Sequence, residues 1–251
     1  MLNFTSKDRY GFADLVRLVA LLRAPGGCPW DGAQTHLSIR RNFLEEAYEA
    51  CEGFDRDDPK LMCEELGDVL LQVVFHADIE REAGRFTLDD VCDGVCKKLI
   101  FRHPRLFGND TAADWDTLKQ QEKGQTTASE ALDGVARSLP ALWRGEKILK
   151  KAAKSGIDQE SAAECLDKLD QQADVLRAAA NREQAQQALG DLLLAAAGVA
   201  AQMELDPEQA LGEACERYLT RFTQLEQSLI RSGRTAEECS ASEQTALWNP
   251  G

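Results

Sequence analysis

Apolar residues recur at intervals of three or four along most of the chain, which is the spacing of one face of an α-helix. Alternating runs typical of β-strands are absent from the sequence, and helix-favouring Ala, Leu, Glu and Gln are abundant. The pattern predicts an all-α protein. Glycines, prolines and the capping residues Ser38 and Thr87 divide it into these predicted helices: Phe12 to Arg23, Ser38 to about Phe54, Lys60 to Ala83, Asp89 to about Phe101, Trp115 to Lys123, Leu142 to Lys154, Glu160 to Ala180, Gln184 to Met203 and Pro207 to Arg231.

Two of these helices carry apolar stripes that predict contact with a core. The stripe on the helix that Ser38 caps consists of Leu44, Ala47, Tyr48 and Cys51. On the next helix a longer stripe runs from Leu66 to Ala77, which predicts that this helix is largely buried from Leu66 onward.

The sequence also contains an internal repeat. The segment EELGDVLL at 64–71 matches QALGDLLL at 187–194, an offset of 123 residues. Two related helical units in tandem explain the match, and chance similarity between Leu-rich helices is the alternative. We expect an N-terminal unit at 1–107, a connecting region at 108–138, a second unit at 139–231 and a tail at 232–251.

Composition restricts the functional classes. The 251 residues carry a net charge of −14 at pH 7, so binding to a nucleic-acid polymer is not expected. No apolar run approaches the roughly 18 residues of a membrane span, and the N-terminus lacks the apolar segment of a signal peptide. We therefore expect a cytoplasmic protein with no membrane partner, whose eight cysteines are free thiols.

Acidic residues cluster on two consecutive predicted helices. Glu46 and Glu49 lie three apart on the first helix, and Glu65 and Asp68 lie one turn apart near the start of the second. Either pair alone is typical of a solvated acidic face. If the helices pack antiparallel, however, the four carboxylates form a cage whose mutual repulsion calls for Mg²⁺ or Mn²⁺. The cluster contains no Cys or His, which argues against zinc or copper.

Seven short segments resemble one known family. They are GCPWD at 27–31, QTH at 34–36, LEEAYE at 44–49, EELGD at 64–68, QVVFHA at 72–77, KLI at 98–100 and RHP at 102–104. Together they make the region from about Asp14 to Phe107 similar to the MazG family of nucleoside triphosphate pyrophosphohydrolases. A looser resemblance continues through Trp115 into the second half of the chain.

The resemblance implies a fold of tandem MazG-like helical bundles and a Mg²⁺-dependent reaction. The expected substrate is a nucleoside triphosphate, which is cleaved between its α and β phosphates to give a monophosphate and pyrophosphate. The implied metal ligands are Glu46, Glu49, Glu65 and Asp68. The resemblance also gives Glu45 a catalytic role, either as a ligand of a second metal or in orienting the attacking water. Family members are built as paired bundles, so a homodimer is expected.

Other residues are candidates for substrate contacts. Lys97, Lys98, Arg102 and Arg105 form a basic run that either meets the β and γ phosphates or is an ordinary solvated patch. Trp30 either stacks on the base or closes the end of the bundle.

The second unit departs from the family pattern. At the positions aligned with the two acidic motifs it has Gln171, Gln172, Val175, Ala188 and Asp191. One carboxylate and two amides do not replace four charged ligands around Mg²⁺. The second unit is therefore predicted to be degenerate and catalytically silent. The alternative for the whole chain is a non-catalytic regulator that keeps the fold and binds a nucleotide or a protein.

Overall fold

A computed structural model describes residues 4–108, 115–157, 160–235, 238–240 and 248. Within these ranges every regular element is helical and no strand occurs, which confirms the all-α prediction. Part of the predicted connecting region and most of the predicted tail lie outside the described residues. The helices are α1 (Phe12–Arg23), α2 (Pro29–Ala33), α3 (His36–Asp55), α4 (Pro59–Glu82), α5 (Leu88–Arg102), α6 (Pro104–Phe107), α7 (Trp115–Glu122), α8 (Ala128–Asp133), α9 (Ala141–Lys154), α10 (Ala162–Arg177), α11 (Arg182–Gln202) and α12 (Pro207–Ser232).

The chain divides into two compact units, residues 1–118 and 119–251. In the first unit α3 and α4 form a helical hairpin, and both α1 and α5 pack against α4. In the second unit α10 and α11 form the hairpin, α9 packs against α11, and α12 contacts both α9 and α11. Each unit thus has a leading helix, a long hairpin and a following helix.

A helix that crosses a membrane must be both long and apolar. No single helix in the described ranges is both long and apolar enough to cross a bilayer, and one pair, α11 with α12, meets the criteria only when combined across a 107° bend.

Side-chain caps begin most of the long helices. Thr87 and Ser161 each accept a hydrogen bond from the backbone N–H three residues later, and Asp58 caps α4 in the same way. The predicted cap of α3 was wrong by one turn. Thr35 is the cap, and Ser38 is the third helical residue, whose hydroxyl accepts a hydrogen bond from the Thr35 N–H.

Three short helices were not predicted. They are α2, α6 and α8, of four to six residues each. A periodic apolar pattern needs about 11 residues to be recognised, so elements this short lack the signal on which the prediction depends.

The predicted core face of α3 was also wrong. Leu44 is 46% exposed and Tyr48 is 61% exposed, and Cys51 is exposed as well. The buried positions on α3 are instead Ile39 and the small residues Ala50 and Gly53, because these face the partner helix of the hairpin.

The burial of α4 begins later than predicted. Leu66 and Leu70 are exposed, and full burial starts at Val74 and Phe75. These two residues form a core cluster with Val19 of α1 and Ile39 of α3. Leu15 and Val16 of α1 also pack against this cluster, so the core contacts of α1 lie at the second half of α4.

Ion pairs connect the end of α1 to the end of α4. Arg23 is buried and makes ion pairs with Asp78 at 3.2 Å and with Glu82 at 2.7 Å. Its guanidinium also lies 4.8 Å from the ring centroid of Phe75. Removing one partner of such a pair leaves a buried charge uncompensated, so the network fixes where α1 sits on α4.

A second polar network joins α3, α4 and the turn after α4. Glu80 is buried and accepts hydrogen bonds from both Arg85 and His36, and the Nδ1 atoms of His36 and His76 lie 2.7 Å apart. The hydrogen bonds from Arg85 and then His36 lower the pKa of Glu80 to about 2. Burial, and then the neighbouring His36, lowers the pKa of His76.

We predict that Glu80→Gln destabilises the protein at pH 7. The pKa of Glu80 is about 2 in the folded protein, against an ordinary 4.5, so its ionised form stabilises the fold above pH 4.5. That contribution falls between pH 4.5 and 2 and is absent below pH 2. Urea unfolding across this pH range should therefore show a difference between the two proteins that shrinks with acid.

Asp93→Asn is the matched control, because it removes a carboxylate whose ion pair with Lys97 is exposed on α5. It should change the free energy of unfolding little at any pH. A Glu80→Gln effect no larger than that of Asp93→Asn would contradict the prediction.

Candidate functional site

Three carboxylates from the two helices of the first hairpin converge. One oxygen each from Glu46, Glu49 and Glu65 lies within 4.8 Å of the other two. Gly53 makes this possible, because a Cβ at that position would lie only 3.1 Å from the backbone nitrogen of Met62. The helices therefore approach closely at the turn, and one helical turn further along Glu49 faces Glu65.

Burial and neighbouring negative charges raise the pKa of two carboxyl groups in this cluster. Partial burial, and then the negative charges of Asp68, Glu49 and Glu65, raises the pKa of Glu46. Desolvation, and then Glu49 and Asp68, raises the pKa of Glu65. Asp68 is outside the group of three but acts on two of its members, so all four predicted ligands share one electrostatic cluster.

Within the described part of the chain, the cluster has no cationic side chain as partner. Across the described ranges, no lysine or arginine forms an ion pair with Glu46, Glu49, Glu65 or Asp68. The basic residue that pairs nearby is Arg56, and its partner is Glu52, one turn beyond Glu49 on α3. Helix formation thus brings like charges together without neutralising them.

This arrangement fits a divalent metal ion. Carboxylate oxygens are the ligands preferred by hard cations, and three of them from two rigid helices lie close enough to bind one ion. No other group of three metal-ligating side chains in the described ranges comes together in this way. In the second hairpin the aligned positions hold Gln171, Gln172, Ala188 and Asp191, which cannot form an equivalent cage.

The predicted basic contacts lie on α5, which packs against α4. Lys97 is exposed and forms an ion pair with Asp93 at 2.5 Å, whereas Lys98 is half-buried. The guanidinium of Arg102 lies 5.3 Å from the ring centroid of Trp115. Arg102 and Trp115 lie thirteen positions apart in the sequence, and no local sequence pattern predicts their contact.

Trp30 lies on the short helix α2 and is 62% exposed. Its backbone carbonyl accepts a hydrogen bond from the side chain of Gln34. Because most of the side chain is exposed, Trp30 does not close the end of the bundle within the described part of the unit. Its ring is therefore available to a planar ligand.

Comparison with known proteins identifies the family of the chain. Residues 34–107 match the family described as the MazG nucleotide pyrophosphohydrolase domain, and this range contains all four carboxylates. The chain is 35% identical to the nucleoside triphosphate pyrophosphohydrolase/pyrophosphatase MazG of Thermotoga maritima over 240 residues, which cover 94% of each chain.

Two further relatives extend the comparison. The nucleoside triphosphate pyrophosphohydrolase of Escherichia coli K12 is 35% identical over 87% of this chain and 88% of its own length. An uncharacterized protein of Bacillus subtilis is 36% identical over 95% of this chain, which spans 51% of that longer protein. With near full-length identity of this order, the chain belongs to the MazG family of nucleoside triphosphate pyrophosphohydrolases.

Proposed function

We propose that the chain hydrolyses nucleoside triphosphates to a nucleoside monophosphate and pyrophosphate, and that the reaction requires Mg²⁺. The observation that carries the proposal is the convergence of Glu46, Glu49 and Glu65 within 4.8 Å without a cationic partner among the described residues. The names of the relatives from Thermotoga maritima and Escherichia coli supply the substrate class.

The carboxylates and the substrate both carry negative charge, so they repel each other in the absence of a cation. A triphosphate carries about four negative charges at neutral pH, and Glu46, Glu49, Glu65 and Asp68 add up to four more. Glu46, Glu49, Glu65 and Asp68 would hold a Mg²⁺ ion, which would offset this repulsion and would supply the positive charge that activates a water molecule. The two helices supply the ligands in a fixed geometry, which holds the scissile phosphate in one position.

Neighbouring residues complete the proposed site. Glu45 adjoins Glu46 on α3, and we assign it to a second metal or to orienting the attacking water. Lys98 and Arg102 on α5 are assigned to the phosphates. Lys97 joins them by exchanging Asp93 for a phosphate oxygen. Trp30 is assigned to stacking on the base, since its ring is exposed.

Loss of single ligands tests the assignment of the reaction to the first unit. We expect Glu49→Gln and Asp68→Asn to lower pyrophosphate release by about 100-fold or more, because each removes charge that holds the cation. Release is measured with and without Mg²⁺ across the eight common ribo- and deoxyribonucleoside triphosphates. Omitting Mg²⁺ should abolish it in the unmodified protein.

Asp191→Asn is the matched control, since Asp191 is the aligned carboxylate of the second hairpin. It should leave turnover unchanged. Equal losses from Asp191→Asn and Asp68→Asn would show that the second unit takes part. No Mg²⁺-dependent turnover of any of the eight substrates would favour the non-catalytic regulator instead.

Cation binding should be measurable without substrate. At a Mg²⁺ concentration about 100 times the dissociation constant, binding adds about 2.7 kcal/mol to the folded state, which raises Tm by about 5 °C or more. Glu46→Gln should remove this rise. It should also raise the Tm of the metal-free protein, because one of the repelling charges is gone.

Glu226→Gln on α12 serves as the control for net charge, since it removes an exposed carboxylate outside the cluster. Differential scanning calorimetry measures the Tm of the unmodified protein, Glu46→Gln and Glu226→Gln, each in EDTA and in Mg²⁺. A Mg²⁺ effect of the same size in Glu46→Gln would exclude the cluster as the binding site.

We also propose that the protein is a homodimer. Helices α3, α4 and α5 each carry exposed apolar residues four apart, which is unusual for a surface in water. These stripes are Leu44 and Tyr48 on α3, Leu66 and Leu70 on α4, and Val91, Val95 and Leu99 on α5. A second copy of the same hairpin would bury them against matching stripes, as symmetric interfaces do.

The double variant Leu70→Lys with Val95→Lys should dissociate this dimer, because it places four charges in each symmetric interface. Sedimentation equilibrium should then give the 27.7 kDa monomer, against twice that mass for the unmodified protein. Phe86→Lys changes an exposed aromatic residue outside the three stripes and should leave the dimer intact. A monomeric unmodified protein at micromolar concentration would contradict the proposal.

A further inference from the structure

Two of the three histidines of the chain contact each other in the first unit. The Nδ1 atoms of His36, the first residue of α3, and His76 of α4 lie 2.7 Å apart, while the ring centroids are 4.9 Å apart and the ring planes differ by 8°. The centroid separation exceeds the Nδ1 separation by about twice the radius of an imidazole ring. The rings therefore lie edge to edge and almost in one plane, which is the arrangement of a straight N–H···N hydrogen bond. We call this contact the histidine pair.

The carboxylate of Glu80 determines where the protons of the histidine pair lie. Hydrogen bonds from Arg85 and then His36 lower the pKa of Glu80 to about 2, so this group is ionised at neutral pH. An ionised carboxylate only accepts hydrogen bonds, so His36 donates from Nε2, and a neutral His36 then accepts at Nδ1. His76 must donate its Nδ1–H to His36. One proton thus lies between the two rings.

The histidine pair accommodates one further proton but not two. The Nε2 atom of His76 carries no proton in this arrangement, and it can bind the first without a change in the contact. A second proton has to bind at Nδ1 of His36. Two N–H groups would then point at each other across 2.7 Å with no acceptor between them, and two positively charged rings would repel each other. Protonation of both rings therefore requires them to separate.

Other charges near the histidine pair do not offset this repulsion. Glu80 is the carboxylate that contacts the pair, and it shares its charge with Arg85. The charged residues of the neighbouring helices have other partners or are exposed. Arg23 of α1 pairs with Asp78 and Glu82, Arg81 of α4 pairs with Asp78, Arg17 of α1 lines a cavity beside Asp78 and Arg81, Asp90 of α5 binds Thr87, and both Arg40 of α3 and Asp89 of α5 are exposed.

The histidine pair supplies the polar contact between the first turn of α3 and α4. Leu37 in this turn is 84% exposed, so its side chain adds little packing. Ile39 reaches the core cluster and is the apolar contact of the turn. His36 provides the remaining contact through its two ring nitrogens. Separation of the two rings would leave Ile39 as the main attachment of this turn.

We propose that the histidine pair is an acid-sensitive contact, which holds the first turn of α3 on α4 and releases it when both rings are protonated. The released form binds more protons than the closed form, so acid favours release. Gln34 hydrogen-bonds to both Ser38 and the Trp30 carbonyl, so release also alters the connection to α2. The contact is separate from the carboxylate cluster, and the proposal does not depend on the proposed function.

The direction of the pH dependence follows from His76. Burial, and then the neighbouring His36, lowers the pKa of His76 from its ordinary value of 6.5. The neutral ring therefore stabilises the closed form fully above pH 6.5, and this contribution is lost as the pH falls from 6.5 through the lowered pKa. Each proton that the released form binds in excess of the closed form changes the equilibrium between them about tenfold per pH unit.

Hydrogen exchange of the full chain between about pH 7.5 and 5 tests the proposal. After correction for the intrinsic exchange rate, the protection of the Ile39 and Arg40 amides should fall about tenfold per pH unit below pH 6.5. The amides of Val74 and Phe75 in the core should lose much less protection, because the release is local. Unchanged protection at Ile39 and Arg40, or an equal loss at all four amides, would overturn the proposal.

His76→Phe should remove the acid-dependent loss of protection in the first turn of α3. The variant keeps a ring beside Phe43, whose centroid lies 5.7 Å from that of His76, but it leaves His36 as the one titrating ring of the contact. A proton on His36 then meets the carboxylate of Glu80 without a second positive ring opposite. A tenfold dependence that persists in His76→Phe would contradict the proposal.

His103→Gln is the matched control, because it removes the third histidine of the chain. Its Nδ1 atom lies 2.7 Å from the Leu99 carbonyl oxygen at the end of α5, away from the histidine pair in sequence and in contacts. The acid-dependent loss of protection in the first turn of α3 should remain in this variant. Its disappearance would show that the effect does not come from the histidine pair.

Nitrogen-15 NMR of the unmodified protein provides a second measurement, which does not depend on the folding of His76→Phe. At about pH 7.5 the two rings should be opposite tautomers, with the proton of His36 on Nε2 and that of His76 on Nδ1. Protons on Nε2 in both rings would overturn the proposal, because no proton would then lie between the Nδ1 atoms. Neither measurement involves turnover, so a failure of pyrophosphate release would leave the result for the histidine pair unaffected.

Discussion

The close packing of α3 against α4 determines both the core and the candidate site of the first unit. At Gly53 the two helices come so near that an added Cβ would lie 3.1 Å from the Met62 backbone. Close packing at this point determines which residues of α3 lie opposite which residues of α4 along the rest of the hairpin. Glu49 consequently meets Glu65, and Ile39 reaches Val74 near the other end of the hairpin.

The core contacts and the carboxylate cluster lie at different ends of the hairpin. The end beneath α1 contains the apolar core cluster and the ion pairs of Arg23 with Asp78 and Glu82. The carboxylate cluster lies near the turn, and Glu49 is ten residues from Ile39, which is roughly 15 Å along a helix. The carboxylates therefore repel one another at a distance from the apolar core, so their repulsion does not act directly on the core contacts. This arrangement permits an unneutralised acidic cluster in a stable fold.

Sequence patterns predicted the long helices and the spacing of the carboxylates, because both depend on local periodicity. The prediction for the buried face of α3 was wrong, because the apolar stripe of this helix was expected to face the core and is largely exposed. The packed face is marked instead by the small residues Ala50 and Gly53, which contribute little apolar signal but allow close approach. The contact of Arg102 with Trp115 joins residues from different helices, and such a contact depends on tertiary structure rather than on periodicity.

The two hairpins of this chain offer an internal comparison of the same scaffold with and without the acidic cluster. The second hairpin has Gln171, Gln172 and Ala188 at aligned positions, and it still packs as two long helices. The carboxylates are therefore not needed to form the hairpin. Since like charges at close range oppose folding, the cluster in the first hairpin lowers stability unless a cation is bound. A feature that the scaffold does not need, and that repulsion makes unfavourable, is best explained by the cation site that we propose for it.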